Sequence, residues 1–223
     1  KEPWWEGLDG PVPKNLTDWQ GNAWDPSKEG KAAQPNSRFT VSIQNCPTLS
    51  KEYDNPQGVP ISAIILGGRR TQLVPLVSEA YDWQNGVFMG ARSGSETTSA
   101  AVGKEGVLRR DPMAMLPFCG YNMGDYFGHW LKMGKKLKNP PKIFSVNWFR
   151  TDDEGKFIWP GFGDNIRVLK WIIDRCEGKV EARKTAVGML PEMKDLDLSG
   201  LNIPQAKMER ILSVNNADWR KEA

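Results

Sequence analysis

The run Val59-Pro60-Ile61-Ser62-Ala63-Ile64-Ile65-Leu66 constrains the fold of this chain more than any other feature. It is far too short to cross a membrane, is rich in β-branched residues, and is bounded by Gly58 and Gly67. Such a run reads as a strand apolar enough to be buried on both faces, the signature of an α/β sheet covered by helices. It leads directly into Gly67-Gly68-Arg69-Arg70. Two glycines at a strand's end let the backbone approach a ligand closely. Arginines just past that end stand where α/β sheets bind their ligands. The four residues form no named phosphate motif, so an exposed basic turn explains them equally well.

A second apolar run, Ile143-Phe144-Ser145-Val146, predicts another short strand ending near Phe149. Asp152 to Gly155 is turn chemistry, and Phe157-Ile158-Trp159 is expected to return as a strand. Pro160-Gly161-Phe162-Gly163 is a loop, and Asp164 or Asn165 can cap a helix beginning near Ile166. The spacing of Val168, Leu169, Ile172, Ile173 and Cys176 makes that helix amphipathic. Phe149, Phe157 and Phe162 therefore line either a slot for a flat heterocycle or a satellite core beneath the hairpin.

Elsewhere the spacing predicts a short helix over Pro75–Trp83, a turn at Asn85-Gly86 and a brief strand at Val87–Met89. Residues from Gly90 to Gly106 are small and polar with little to bury, which fits a mobile surface loop or a lid. Met123, Tyr126, Phe127, Trp130 and Met133 recur at helical spacing, and His129, the only histidine, reads as a structural residue on that helix. Pro204 opens a last helix carrying Met208, Ile211 and Leu212. Residues 1–58 lack periodicity and read as loops and short strands pinned by tryptophans. Within them Arg38 is either a solvated strand charge or an anion ligand, and Asn36 either closes a turn or reads a carboxylate. Pro56-Gln57-Gly58 marks a domain boundary, giving a region 1–58 and a region 59–223.

With 223 residues, 39% hydrophobic and 26% charged, the chain can bury a sizeable core. A net charge of +3 is too small to argue for nucleic acid. Three cysteines without CxxC spacing favour a reducing setting, and neither a signal peptide nor a membrane span is expected, so the location is expected to be cytoplasmic. The start at Lys1, in Pro- and Trp-rich sequence, suggests a piece of a longer protein. The sequence contains no GxxxxGK[ST], no GxGxxG, no metal-ligand spacing and no nucleophile beside a histidine.

Taken together, several segments resemble the C-terminal part of GTP-dependent phosphoenolpyruvate carboxykinase. They are Pro35-Asn36-Ser37-Arg38-Phe39, Gly58–Ile61, Gly67–Arg70, Asp111–Met115, Pro117–Asn122, Asn147–Arg150 and Phe157–Asn165. The resemblance implies an α/β fold of mixed type: region 59–223 as the guanine-nucleotide-binding portion, with a lid near 94–106, preceded by a remnant of the N-terminal, substrate-binding lobe over 1–58. It implies conversion of oxaloacetate and GTP to phosphoenolpyruvate, CO2 and GDP in gluconeogenesis. Phe149, Phe157 and Phe162 would form the guanine slot, with Trp148 and Asn165 supporting it. Arg69 would meet the transferring phosphate, Arg38 the substrate or the phosphoryl group, and Asn36 the substrate carboxylate. Ser95 and Glu96 would open the lid, where the family usually has Arg-Ser-Glu and this chain has Gly94-Ser95-Glu96. Gly103 stands where the family's lid has a histidine. Mn2+ or Mg2+ would serve the parent enzyme, which is expected to be a monomer, with ligands supplied upstream of Lys1 and none in this chain. On that expectation the chain alone is inactive. The competing readings are a standalone guanine-nucleotide-binding module without catalysis and an RNA-binding domain that stacks bases on its aromatics.

Overall fold

The structure, a computed structural model, describes residues 4, 10–34, 40–98 and 104–222. The chain divides into two units, one of residues 1–58 with 98–105 and one of residues 59–97 with 106–223. In the first, β1 (Leu16–Thr17) and β2 (Ala23–Trp24) pair as a small antiparallel hairpin. Asp18 shapes its turn, its carboxylate accepting from the backbone N–H groups of Gln20 and Asn22 at 2.9 and 2.8 Å. Trp24 is buried and meets Trp4 at a ring separation of 5.8 Å. Bulky anchors thus hold this unit where periodic elements are scarce, as its composition suggests.

The second unit contains, in order, β3 (Ala63–Gly67), β4 (Val77–Glu79), α1 (Trp83–Ala91), β5 (Gly94–Glu96), β6 (Leu108–Arg110), α2 (Met123–Lys136), β7 (Lys142–Val146), α3 (Asn165–Cys176), β8 (Arg183–Thr185), β9 (Gly188–Leu190), α4 (Gln205–Ile211) and α5 (Asn216–Glu222). Five strands form one mixed sheet in the order β3-β7-β4-β9-β8, with β3 parallel to β7 and the other pairs antiparallel. Alternation along β7 sends successive side chains to opposite faces. Ile143 packs with Ala80, Met89, Trp83 and Trp130 against α1 and α2. Phe144 and Val146 join Val168, Trp171 and Ile172 of α3 and Met208 and Ile211 of α4. The sheet therefore lies between two helical layers, the α/β architecture expected from its apolar runs. Each large side chain buried there contributes on the order of 1.5–3 kcal/mol. No helix among the described residues is long and apolar enough to cross a membrane.

Five local expectations are corrected. The run Val59–Leu66 is not buried on both faces: β3 is an edge strand, and Ile61 and Ile65 are 69% and 41% exposed. Residues 75–82 are not a helix, because Val77, Ser78 and Glu79 are drawn into the sheet as β4, and Trp83 instead opens α1. Asn85-Gly86 is not a turn, nor is Val87–Met89 a strand: both belong to α1, whose first turn is capped by the Asp82 carboxylate accepting from Asn85 N–H at 2.7 Å. Gly86 is there because α1 presses on the sheet, since a β-carbon would meet Ile143 Cδ1 at 2.5 Å. Finally, Phe157–Trp159 forms a single bridge, Thr151 with Phe157, and not a second strand. Ile158 and Trp159 leave that bridge to bury their side chains in the core beside α3.

Candidate functional site

Parallel pairing of β3 and β7 sets their C-terminal ends side by side, with Gly67 opposite Val146. The segments that follow, 68–71 and 147–151, thus leave the sheet together. Asn147 fastens them. Its side chain is 1% exposed; the amide nitrogen donates to the carbonyls of Arg70 at 2.8 Å and Val74 at 3.0 Å. Its carbonyl oxygen accepts from the N–H groups of Arg70 and Phe149, both at 3.2 Å. Thr151 N–H adds a bond to Thr71 O at 2.9 Å. Sequence reasoning gave Asn147 no role, although a polar residue ending a buried strand just before two aromatics was a readable signal.

The turn after Thr151 is built by Asp152, whose carboxylate accepts from the N–H groups of Glu154 and Lys156, with Gly155 in the left-handed region at φ 75°. Lys207 of α4 donates to the same carboxylate at 2.7 Å and, with those backbone donors, holds it well below the usual range, at about 2. Arg210 of α4 pairs with Asp153 at 2.9 Å. The hairpin is therefore clasped to a helix rooted in the core.

Phe149 and Phe157 face each other across the hairpin, edge to face, with ring centroids 5.8 Å apart. The Arg69 guanidinium lies over the Phe149 ring, 4.0 Å from its centroid. Phe157 is 55% exposed, and Phe149 is half-buried. Phe162 makes no described ring contact and is 99% exposed. Its φ of 25° lies in the left-handed region, a strained conformation for a phenylalanine. Gly161, at φ 80°, makes the turn that presents it. Trp148 instead packs against the main core. Asn165, at the start of α3, accepts from the Trp159 indole N–H at 2.9 Å. That bond takes its carbonyl oxygen and leaves the amide nitrogen as donor. Asp164 stands at the N-cap without capping through its side chain, pairing with Arg167 instead at 2.9 Å.

Ser95 and Glu96 do not lie in an open loop. They form β5, antiparallel to β6, and are tied to the segment after β3. Ser95 Oγ accepts from Arg69 N–H at 3.0 Å, and Glu96 N–H donates to Arg69 O at 2.8 Å. The Glu96 carboxylate accepts from the N–H and hydroxyl of Thr71, both at 2.9 Å. Gly68 admits this approach, since a β-carbon there would meet Gly94 O at 2.9 Å. The close contact that the glycine pair permits is thus with the protein's own backbone. Beyond Thr98, the expected lid runs through residues 99–103, which lie outside the described residues, as do Asn36 and Arg38. Among the described residues no three His, Cys, Asp or Glu side chains come together to hold a metal ion, and His129 is exposed on α2.

Residues 1–223 match the family described as phosphoenolpyruvate carboxykinase C-terminal P-loop domain. Proteins named phosphoenolpyruvate carboxykinase [GTP] resemble the chain closely. The protein of Anaeromyxobacter dehalogenans (strain 2CP-1) is 52% identical over 219 residues, which cover 98% of this chain and 37% of that protein. The protein of Paenarthrobacter aurescens (strain TC1) is 52% identical over 222 residues, covering 98% of this chain and 36% of that protein. The chain thus spans little more than a third of the length of these relatives.

Proposed function

We propose, from the premise that this chain belongs to the GTP-dependent phosphoenolpyruvate carboxykinase family, that it carries the guanine-binding half of a site for converting oxaloacetate and GTP to phosphoenolpyruvate, GDP and CO2. The observation that carries the reading is the placement of Phe162, fully exposed at a strained backbone angle near the Phe149–Phe157 pair in sequence. Strain and exposure of that kind persist where a ligand repays them. In this reading the guanine ring stacks among the three phenylalanines. Asn165, oriented by Trp159, donates to guanine O6, where adenine presents an amino group that cannot accept. Trp148 supports the slot from the core side.

Arg69 leaves the Phe149 face to meet the transferring phosphate, drawn by a charge-assisted bond stronger than its contact with a ring. Arg38 and Asn36 take the phosphoryl group or substrate and the substrate carboxylate, respectively. Decarboxylation leaves an enolate whose oxygen attacks the γ-phosphorus, so the site must position the groups, neutralise charge and exclude water. Arg69 supplies charge, and the segment 94–106, rooted by Ser95 and Glu96, supplies the cover. A divalent metal would stabilise the phosphates, but the described residues do not assemble a donor set for it, and this chain is assigned none of its ligands. Because the sequence holds no GxxxxGK[ST], the chain alone is expected on this reading to bind GTP without turning it over.

The test is calorimetric titration of GTP into the 223-residue chain and its Phe162→Ala variant. Loss of one stacked ring should weaken binding by about 1–3 kcal/mol, roughly 5- to 150-fold, with the circular dichroism unchanged. Equal affinities would reduce Phe162 to a surface residue and remove the slot.

A further inference from the structure

Arg69 and Arg70 are neighbours just past the end of β3, and their side chains find different partners. Arg69 turns to Phe149, whereas Arg70 turns away to the carboxylate of Glu222 on α5, at 3.1 Å. Beside Arg70 lies a cavity of about 750 Å³ between α1, the end of β3, β5 and α5. None of Arg69, Phe149, Phe157, Phe162 and Asn165 lines it.

Arg70, Arg92, Arg110 and Arg220 all line this cavity, and among the described residues Glu222 is its only acidic one. Glu222 is already shared: Arg70 and Arg110 both donate to the same oxygen, at 3.1 and 2.9 Å. Burial works to raise the Glu222 carboxyl, but Arg70, and Arg110 with it, override that and hold it below its ordinary value. Three positive charges remain in excess. Arg92, at the wall, feels the charge of Glu222, but less than it feels Arg70. Among the described residues no carboxylate pairs with it, and its guanidinium lies 5.1 Å from the Trp219 ring centroid and 5.8 Å from that of Phe88. Burial, and then Arg70 beside it, pull Arg92 below its usual value, yet a guanidinium does not surrender its proton in a protein. A desolvated cation among like charges is costly unless an anion joins it. The Trp219 indole N–H, on the same wall, is buried without an acceptor. A buried donor without an acceptor, an arginine excess and an aromatic and apolar lining are the recurring make-up of a built anion pocket.

We infer that this cavity is a second ligand site, distinct from the phenylalanine slot, which takes a small organic dianion with a flat apolar body. The anionic group bridges Arg92 and Arg110 and accepts from the Trp219 indole, while the body rests on Phe88, Met89 and Val187. Phosphate monoesters and dicarboxylates share the chemistry that this lining recognises, and two probes separate them: phenyl phosphate and phthalate.

The experiment follows the indole N–H resonances of the 15N-labelled 223-residue chain during titration with each probe, with the Trp219 signal assigned through Trp219→Phe. Movement of that signal with at least one probe, absent with phenol at the same concentration, is the expected result. Arg92→Gln, which keeps a side chain against both rings, should weaken binding about tenfold or more. Arg92→Ala serves as a second check, and Arg69→Ala should leave the midpoint unchanged. Neither probe moving the Trp219 signal would overturn the inference. So would loss of binding in Arg69→Ala with none in Arg92→Gln, since the probe would then occupy the slot. The Arg69→Ala arm also keeps the two readings apart: a failed slot leaves this site intact, and the reverse.

Discussion

Replacing Asn147 tests whether one buried amide holds the two halves of the candidate slot in register. Its four hydrogen bonds, from 2.8 to 3.2 Å, join the segment carrying Arg69 to the segment carrying Phe149. At about 1 kcal/mol net for each bond, and with orphaned buried groups costing about 1–3 kcal/mol apiece, Asn147→Ala should lose about 3–5 kcal/mol. That is a large share of the roughly 5–15 kcal/mol that stabilises a domain. Asn147→Asp keeps the two acceptor bonds but loses both donor bonds and places a charge at a site 1% exposed, so it should not rescue the variant. Urea unfolding reads the stability, and GTP titration well below the midpoint reads the slot. Both variants should unfold at lower urea and bind GTP more weakly in the fraction that remains folded. A loss below about 1 kcal/mol in Asn147→Ala, with unchanged GTP affinity, would refute the idea that Asn147 registers these segments.

Two other changes follow from the packing. The Asp152 carboxyl sits at about 2 in the folded chain against an ordinary 3.8, because Lys207 and backbone donors stabilise its charged form. Its contribution is therefore complete above the ordinary value and fades as pH falls towards 2. Denaturation midpoints measured from pH 5 to 2 should fall less steeply in Asp152→Asn, and parallel curves would contradict this assignment. Gly86→Ala gains about 0.5–1 kcal/mol of helix propensity but forces a β-carbon onto Ile143, at a cost of about 1–3 kcal/mol. Overpacking should win, and a raised urea midpoint would show that α1 has room to shift.

Strands β3 and β7 and helices α2, α3 and α4 were legible because their signals are local, whereas β4, β8, β9, α1 and α5 were not. The run at Ile143–Val146 is β7, although the strand ends at Val146 rather than near Phe149, the 3.6-residue periodicity of α2 and α3 persists, and the helix opened by Pro204 is followed by α5 rather than being the last. What misled were residues whose role is set by a distant neighbour. Gly86 resembles a turn residue until Ile143 is seen above it, and Val77–Glu79 resembles part of a helix until β7 and β9 pair on either side. Val59–Leu66 has the composition of a central strand but forms an edge. The candidate slot was half legible. Aromatic spacing marked Phe149, Phe157 and Phe162 but could not separate a slot from a small core, a choice on which exposure of Phe157 and Phe162 bears. The division of Arg69 and Arg70 between different partners, and Asn147 beneath them, depends on contacts across 77 residues and leaves no periodic trace.

The most direct test of the guanine slot is a paired titration of the 223-residue chain, carrying fluorine-labelled phenylalanine, with GTP and with ATP. Signals of Phe149, Phe157 and Phe162, each assigned by substitution, should move with GTP, and binding should be about tenfold or more tighter than for ATP, because in the proposed slot the Asn165 amide, oriented by Trp159, would donate where only guanine accepts. Equal midpoints for the two nucleotides, or a GTP response that leaves those three signals in place, would contradict the account.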